Sequence, residues 1–237
     1  MRTTTFVVLA VVPALTVAVA RPVAGQIPGA PVLQNVWATP GIVGALDIGT
    51  GSGGSVYAAA GSWTPGSGRF ELSGGVGFQK VGGNAGSRGV YGVRAAIPFG
   101  RASSTFGFGA FAGIGGGPGK IVSTQDTAFT PGGPLVTTVD SATSTLQIPV
   151  GVAVGWRRAI GGTHGVSLYA SPSYTFFSGG GGGSGGLIRV AIGADFGITS
   201  KLGATAGVEF GAKRERGFGG PTGSLLGLGL SYAFSRP

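Results

Sequence analysis

A strict alternation of large apolar and small residues in the last stretch of the chain constrains the fold most. Large apolar side chains occupy positions 226, 228, 230, 232 and 234, and the positions between them hold Gly227, Gly229, Ser231 and Ala233. Successive side chains of a β-strand point to opposite faces. The period of two therefore predicts a strand with one large apolar face and one small, weakly polar face. Such an apolar face packs on a soluble core or faces lipid.

The same period recurs along the chain in segments that are bounded by turn residues, and no amphipathic helix of useful length interrupts them. At about 9–13 residues, most segments match a tilted strand that crosses a bilayer, whereas strands of soluble proteins average about five or six residues. The pattern predicts an all-β chain with a single antiparallel transmembrane β-barrel of about 10 strands, with eight or twelve as alternatives. The nine segments before the last are about 41–49, 55–63, 69–80, 88–99, 104–116, 144–158, 165–178, 187–199 and 202–213.

The composition agrees with this assignment and excludes several other classes. The chain has 52 glycines, but 42% of its residues are hydrophobic and only 10% are charged, which excludes a disordered glycine-rich chain. The regular glycine period of collagen is absent. The net charge of +9 comes from lysines and arginines scattered singly, so it does not indicate a nucleic-acid interface. Without cysteine, disulfides and thiolate metal sites are excluded.

The first residues have the features of an export signal. Arg2 is followed by an apolar run over residues 6–20, which is shorter than the ~20 residues that a membrane-spanning helix needs. This predicts a secretory signal peptide over residues 1–25, a proline-punctuated extended leader over 26–40 and a barrel over 41–235. Cleavage is expected after one of three small residues: Gly25, Ala24 or Ala20.

The predicted connections differ in length. Those after the second, fourth, sixth and eighth strands are short, and the longest connection is a predicted loop over residues 117–143, rich in Gly, Pro, Thr and Ser. Membrane barrels have short periplasmic turns and longer outer loops. The pattern therefore places both termini on the periplasmic side and the 117–143 loop on the outer side.

Charged residues within the predicted strands fall on the face opposite the large apolar residues. A barrel of eight to ten strands is largely filled by its inward side chains, and opposite charges there are expected to pair. We therefore predict an interior ion-pair network, with a narrow charge-lined pore as the alternative. The predicted lumen charges are Asp47, Glu71, Arg94, Arg157, Arg189, Asp195 and Glu209.

Aromatic residues cluster near the ends of the predicted strands. In membrane barrels such residues form girdles at the two lipid–water interfaces. The predicted girdle comprises Trp63, Tyr91, Phe99, Trp156, Tyr174, Phe176, Tyr232 and Phe234.

The sequence offers little for catalysis. His164, the only histidine, lies three residues before Ser167, which raises the hypothesis of a hydrolase. A nucleophile and its base also need a third, orienting group, and the sequence indicates none. One histidine and no cysteine do not make a metal site. We therefore expect no enzyme activity and no cofactor.

The final strand resembles the C-terminal signal of bacterial outer-membrane β-barrel proteins. That family ends in an aromatic residue, commonly Phe, with apolar residues at alternate positions upstream. The matching residues are Phe234, Tyr232, Leu230, Leu228 and Leu226, and three residues follow the phenylalanine at which the family usually ends. The size is similar to that of the OmpA transmembrane domain, OmpW and opacity-protein groups. The resemblance implies a Gram-negative outer membrane, its lipid and lipopolysaccharide as surroundings, and insertion by the barrel assembly machinery after periplasmic chaperoning.

These observations predict an integral outer-membrane barrel that is structural, a narrow passive pore for small solutes, or both. An adhesion or ligand-binding barrel acting through the 117–143 loop is the first alternative, and an outer-membrane hydrolase is the second. A secreted soluble β-protein is the rival from a different class.

Overall fold

The structure is a computed structural model that describes residues 40–51, 54–80, 87–99, 104–130, 133–161, 164–179, 184–211 and 224–235. The predicted signal peptide and nearly all of the predicted leader lie outside these residues. Within these ranges no helix is long and apolar enough to span a membrane.

Ten antiparallel strands form one closed barrel, in which each strand pairs with its neighbours in the chain and the last strand pairs with the first. The prediction of an all-β barrel of about 10 strands is confirmed. The strands are β1 (Gly41–Gly51), β2 (Gly54–Thr64), β3 (Glu71–Lys80), β4 (Ser87–Phe99), β5 (Phe106–Thr130), β6 (Gly133–Gly161), β7 (His164–Gly179), β8 (Ser184–Gly197), β9 (Leu202–Gly211) and β10 (Ser224–Ser235).

Strand β10 closes the barrel against β1. Leu46 lies opposite Leu230, and Ile48 lies opposite Leu228, so the alternating apolar face of β10 continues onto β1. We call the end of the barrel that carries Gly41 and Ser235 the terminal end, and the opposite end the hairpin end.

Two tight turns at the terminal end are well defined. Between β2 and β3, the Gly68 N–H donates to the Pro65 carbonyl at 2.9 Å, and Gly68 has a φ of 64°, which glycine adopts without steric cost. Between β8 and β9, the Leu202 N–H donates to the Thr199 hydroxyl at 2.9 Å. These hydrogen bonds close the two turns.

The prediction of a long loop over residues 117–143 is wrong. Strands β5 and β6 continue through this region, with Ile121 opposite Ala142 and Thr130 opposite Gly133, and a register shift lies between Pro118 and Ile121. Sequence polarity suggested a loop, but the many Thr and Val residues have high strand propensity, and each strand supplies the other's backbone hydrogen bonds. We call residues 121–130 and 133–142 the hairpin extension.

The hairpin extension rises beyond the rest of the barrel. The pairing of β4 with β5 ends at Tyr91 and Gly116, and the pairing of β6 with β7 ends at Thr145 and Gly179. The other strands have 10 to 16 residues, whereas β5 has 25 and β6 has 29. The extension is therefore a two-stranded ribbon at the hairpin end.

Candidate functional site: the barrel interior

The two faces of the barrel wall differ sharply in chemistry. Outward positions hold large exposed apolar side chains on every strand, such as Leu46, Val93 and Leu230. Inward positions hold glycine, small residues, buried polar side chains and a smaller number of buried apolar or aromatic ones, such as Val56, Phe111 and Phe177. Soluble proteins bury apolar residues and expose polar ones, so this arrangement is inverted. The buried charged residues are Asp47, Glu71, Arg94, Arg189, Asp195 and Glu209.

Arg94, on β4, forms the first interior cluster. One of its terminal nitrogens, Nη1, lies 3.7 Å from Oε1 of Glu71 on β3, and its guanidinium carbon lies 4.7 Å from the ring centre of Phe111 on β5. The residue directly opposite Arg94 on β3 is Ser73, so the ion pair runs diagonally. Three neighbouring strands thus contribute a carboxylate, a guanidinium and an aromatic ring.

Arg189, on β8, forms the second cluster with the same three chemical groups. Its Nη1 donates to Oε1 of Glu209 on β9 at 2.8 Å, and its guanidinium carbon lies 5.4 Å from the ring centre of Phe177 on β7. This pair also runs diagonally, because Ala191 lies directly opposite Glu209. The arginine again comes from the middle strand of three.

Asp195 is held by hydroxyl groups. Ser167 on β7 and Thr205 on β9 lie directly opposite it in the sheet. The Ser167 hydroxyl donates to Oδ2 of Asp195 at 2.8 Å, and the Thr205 hydroxyl donates to Oδ1 at 2.9 Å. Both carboxylate oxygens are therefore satisfied within one row across three strands.

Asp47, on β1, has a different environment. Its neighbours across the sheet are Ala58 on β2 and Gly229 on β10, neither of which has a polar side chain. Its Oδ1 atom is buried and has no hydrogen-bond partner within the described part of the chain. Of the buried carboxylates, Asp47 receives the least support from the wall around it.

Arg157 lies at the terminal end of the barrel. It is half-buried, and its Nε donates to the carbonyl of Ser104 at 2.9 Å, just before β5 begins. The backbone N–H of Arg157 also donates to the Thr105 carbonyl at 2.9 Å. This arginine therefore fastens the chain at the rim and is only half-buried, whereas the other predicted lumen charges are buried.

The residues behind the hydrolase hypothesis do not form a catalytic arrangement. His164 is exposed at the start of β7, and its Nδ1 lies 3.3 Å from the carbonyl oxygen of Gly197. Ser167 is buried and donates its hydroxyl proton to Asp195. Residues three apart on a strand point to opposite faces, which separates the two side chains.

The aromatic residues of the predicted girdle lie on the outer face, near the two ends of the wall. Seven of the eight are exposed, and Trp156 is partly covered. Tyr232 and Phe234 are near the terminal end and stack edge to face, with ring centres 5.2 Å apart. Tyr91 is near the hairpin end, and its ring lies against Gly116: a Cβ added to this glycine would be 2.5 Å from the tyrosine Cζ.

Sequence reasoning missed several members of these clusters. Phe111 and Phe177 lie under the arginines, and Ser167 and Thr205 hold Asp195. All four have odd residue numbers and lie on strands whose odd-numbered residues face inward, so the alternation could have predicted that they point into the barrel. The missing information was the register, which decides the neighbour that each inward residue meets.

No family model and no curated protein matches this sequence. Among solved structures, the beta domain of the Bordetella autotransporter BrkA superposes with a TM-score of 0.51 at 15% identity, covering 83% of this chain and 100% of that chain. The chain has the fold of a bacterial outer-membrane β-barrel. The N-terminal β-barrel domain of Pseudomonas aeruginosa OprF gives 0.39 at 10% identity, covering 83% of this chain and 98% of its own. Vibrio cholerae OmpT gives 0.25 at 11%, with 81% and 96% covered.

This fold accounts for the inverted surface. A strand that crosses a membrane barrel places alternate residues toward lipid and toward the lumen. The apolar outer face and the polar inner face then each meet a suitable environment, and the closed sheet leaves no backbone edge within the wall.

Proposed function

We propose that this chain is an integral protein of the bacterial outer membrane, with an interior closed by its own side chains. It serves as a structural barrel. The observation that carries the proposal is the burial of the interior charges: Asp195 is 2% exposed, Arg94 3% and Glu71 6%. A water-filled channel would wet the charged residues that line it. Their burial therefore supports a closed barrel over a passive pore.

Three features of the outer face support insertion in a membrane. The exposed apolar residues form a continuous band around the wall, the aromatic residues lie near its two ends, and the strands are long enough to cross a bilayer when tilted. We assign no catalytic role and no cofactor to this barrel.

The interior also explains how charged residues are accommodated within a membrane protein. A buried charge is costly unless it is paired and hydrogen-bonded. Glu71 and Glu209 are next to arginines, and Asp195 accepts two hydroxyl hydrogen bonds. We propose that these contacts stabilise the barrel and keep its interior closed.

Ion conduction in planar lipid bilayers tests closure. We expect the wild-type protein to give no steady current, and the double variant Arg94→Ala, Phe111→Ala to give one, because it removes the largest side chains of the first cluster. The matched control is Val93→Ala, which shortens an outward side chain on the same strand and should leave the bilayer silent. A steady wild-type current that changes with Arg94→Ala would support the narrow pore instead.

Membrane insertion is tested separately by cell fractionation and by gel migration with and without heating. We expect the protein in the outer-membrane fraction, with a fast-migrating folded form that slows after boiling. A soluble species that is insensitive to heat would reject the membrane assignment.

We further propose that β10 is the signal for assembly by the barrel assembly machinery, as its resemblance to the family signal implies. Its outward face carries Leu226, Leu228, Leu230, Tyr232 and Phe234, all exposed. Phe234→Ala should lower the amount of protein in the outer membrane. The control is Phe210→Ala, which removes an exposed aromatic ring from the neighbouring strand β9 at the hairpin end of the barrel, and it should have the smaller effect.

A second function is favoured by the hairpin extension. A ribbon that rises beyond the barrel is a suitable element for contacts outside the membrane, in line with the adhesion hypothesis from the sequence.

A further inference from the structure

The β5 strand of the hairpin extension has an open edge. Its pairing with β4 ends at Tyr91 and Gly116, and residues 121–130 pair only with β6. In the described part of the chain, no other strand lies along this edge. A row of unpaired backbone N–H and C=O groups is a template for pairing with another strand.

This edge lacks the residues that usually prevent such pairing. Residues 121–130 contain no glycine, proline or lysine, and their single charged residue is Asp126. Natural proteins protect open edges with lysine, proline or bulges. Residues 121–130 contain neither lysine nor proline and pair with β6 without a bulge, so this stretch of the edge is open to pairing with another strand.

The order of residue types along β5 is self-complementary about Gln125. Moving outward from it, Thr124 corresponds to Asp126, Ser123 to Thr127, Val122 to Ala128 and Ile121 to Phe129. If two copies paired antiparallel with Gln125 opposite Gln125, polar residues would meet polar residues and apolar residues would meet apolar ones. Matched cross-strand pairs of this kind stabilise a sheet.

The other edge of the ribbon is less suited to pairing with itself. About Val139 of β6 the same matching fails at the fourth pair, where Leu135 would meet Thr143, and the next residue, Pro134, has no backbone N–H. The β5 edge is therefore the better candidate.

Strand direction decides where the second copy lies. In two barrels inserted in one membrane, the β5 strands run in the same direction. A two-fold axis relating them would lie along the strands, so each N–H group of one copy would face the same N–H group of the other and no hydrogen bond could form. Two barrels in facing membranes point their extensions at each other, so their β5 strands run antiparallel, and a two-fold axis across the strands matches donors with acceptors.

We propose that the hairpin extension is a homophilic contact, in which residues 121–130 of one copy pair edge to edge with the same residues of a second copy on a facing membrane. This inference rests on the proposed function, because it requires membrane insertion with the hairpin end outward. The assay begins with a check of that insertion. The purified full chain is placed in phospholipid vesicles, and heat-dependent gel migration and protease digestion establish that it is folded with the hairpin end outside.

Disulfide capture then tests the register. The chain has no cysteine, so Gln125→Cys introduces a single thiol. Opposite residues of antiparallel strands have Cα atoms about 4.5–5.5 Å apart, which is within disulfide range. Two vesicle populations carry the variant with tags of different length, and mixed-tag dimers report pairing between vesicles. The matched control is Thr137→Cys, which should give no such dimer, because Thr137 is exposed on β6, opposite Asp126.

Charge exchange tests recognition itself. Gln125→Lys and Gln125→Glu should each lose the vesicle clustering that the wild type shows by light scattering, because like charges would meet at the two-fold axis. An equal mixture of the two vesicle populations should cluster again. Thr137→Lys adds the same charge to the other strand and should retain clustering.

Three results would overturn the proposal. The first is a wild-type protein that is correctly inserted but does not cluster its vesicles. The second is a mixture of the two charged variants that does not recover clustering. The third is formation of mixed-tag dimers at Thr137→Cys as readily as at Gln125→Cys. Any of these leaves the membrane assignment standing. Failure at the insertion check instead rejects the proposed function itself.

Discussion

The two buried arginine clusters use the same three groups but hold them differently. Arg189 hydrogen-bonds to Glu209 at 2.8 Å, whereas Arg94 lies 3.7 Å from Glu71, which is beyond hydrogen-bonding distance. The aromatic contact has the opposite order, because Arg94 is closer to Phe111 than Arg189 is to Phe177. Both arginines are nearly inaccessible to solvent. Two arginines that are equally buried can therefore be stabilised in different proportions by a carboxylate and by an aromatic ring.

The comparison shows where each cluster is vulnerable. The cost of burying a guanidinium must be offset by its neighbours, and a direct hydrogen bond to a carboxylate is the strongest of these contacts. The Arg189 cluster depends mainly on Glu209, while the Arg94 cluster shares its support between Glu71 and Phe111.

The largest expected effect is that of Glu209→Gln. This substitution leaves Arg189 buried without its charge partner, and we expect the free energy of unfolding to fall by about 3–5 kcal/mol. Urea titration of the refolded barrel in detergent micelles, followed by tryptophan fluorescence, measures it. The control is Arg189→Met with Glu209→Leu, which removes both charges and should recover most of the loss. A drop below about 1 kcal/mol for Glu209→Gln would contradict the role given to this pair.

Glu71→Gln should cost less. The Arg94 pair lacks a direct hydrogen bond, so we expect the loss to be smaller than that of Glu209→Gln by about 1.5–3 kcal/mol, the value of a hydrogen bond to a charged group. The same urea titration compares the two variants. Equal losses would mean that the 0.9 Å difference between the 3.7 Å and 2.8 Å distances has no energetic consequence.

The aromatic partners should show the reverse order. Removing the cation–π contact costs about 0.5–2 kcal/mol, and we expect Phe111→Leu to destabilise the barrel more than Phe177→Leu, since Phe111 is nearer to its arginine. Repeating each substitution where the neighbouring arginine is Met separates the cation–π contribution from lost packing. A larger effect at Phe177 in that test would refute the division of support proposed for the two clusters.

The smallest expected effect is that of salt. Buried pairs are screened far less than exposed ones, so the urea midpoint should hardly change between 0.05 and 1 M NaCl once the general effect of salt is subtracted with the Arg189→Met, Glu209→Leu variant. A marked salt-dependent loss confined to the wild type would indicate that ions reach the clusters, which argues for a wet lumen.

The sequence predicted the fold better than it predicted the contacts in the barrel interior. The alternation predicted all ten strands and the inward direction of residues such as Arg94 and Glu209, because parity along a strand is a local property. It did not predict the continuation of β5 and β6 through residues 117–143, where paired strands satisfy the backbone that polar residues had suggested was irregular.

The sequence could not predict which residues the interior charges contact. Glu71 lies opposite Ala96, and Glu209 lies opposite Ala191, yet each reaches the arginine two residues away on the neighbouring strand. Asp195, which the sequence set among the ion pairs, is held by two hydroxyls directly opposite it. Arg157 faces the rim because the segment before β5 reaches it there.

The sequence by itself determined that this protein is built of alternating strands with an apolar face and a polar face, since the residue order alone sets which side chains share a face. Only the tertiary structure decided what those faces meet. Register and closure set which carboxylate each arginine takes, how tightly the interior is filled and which edge of the hairpin extension is left open, because each of these depends on pairs of residues far apart in the chain.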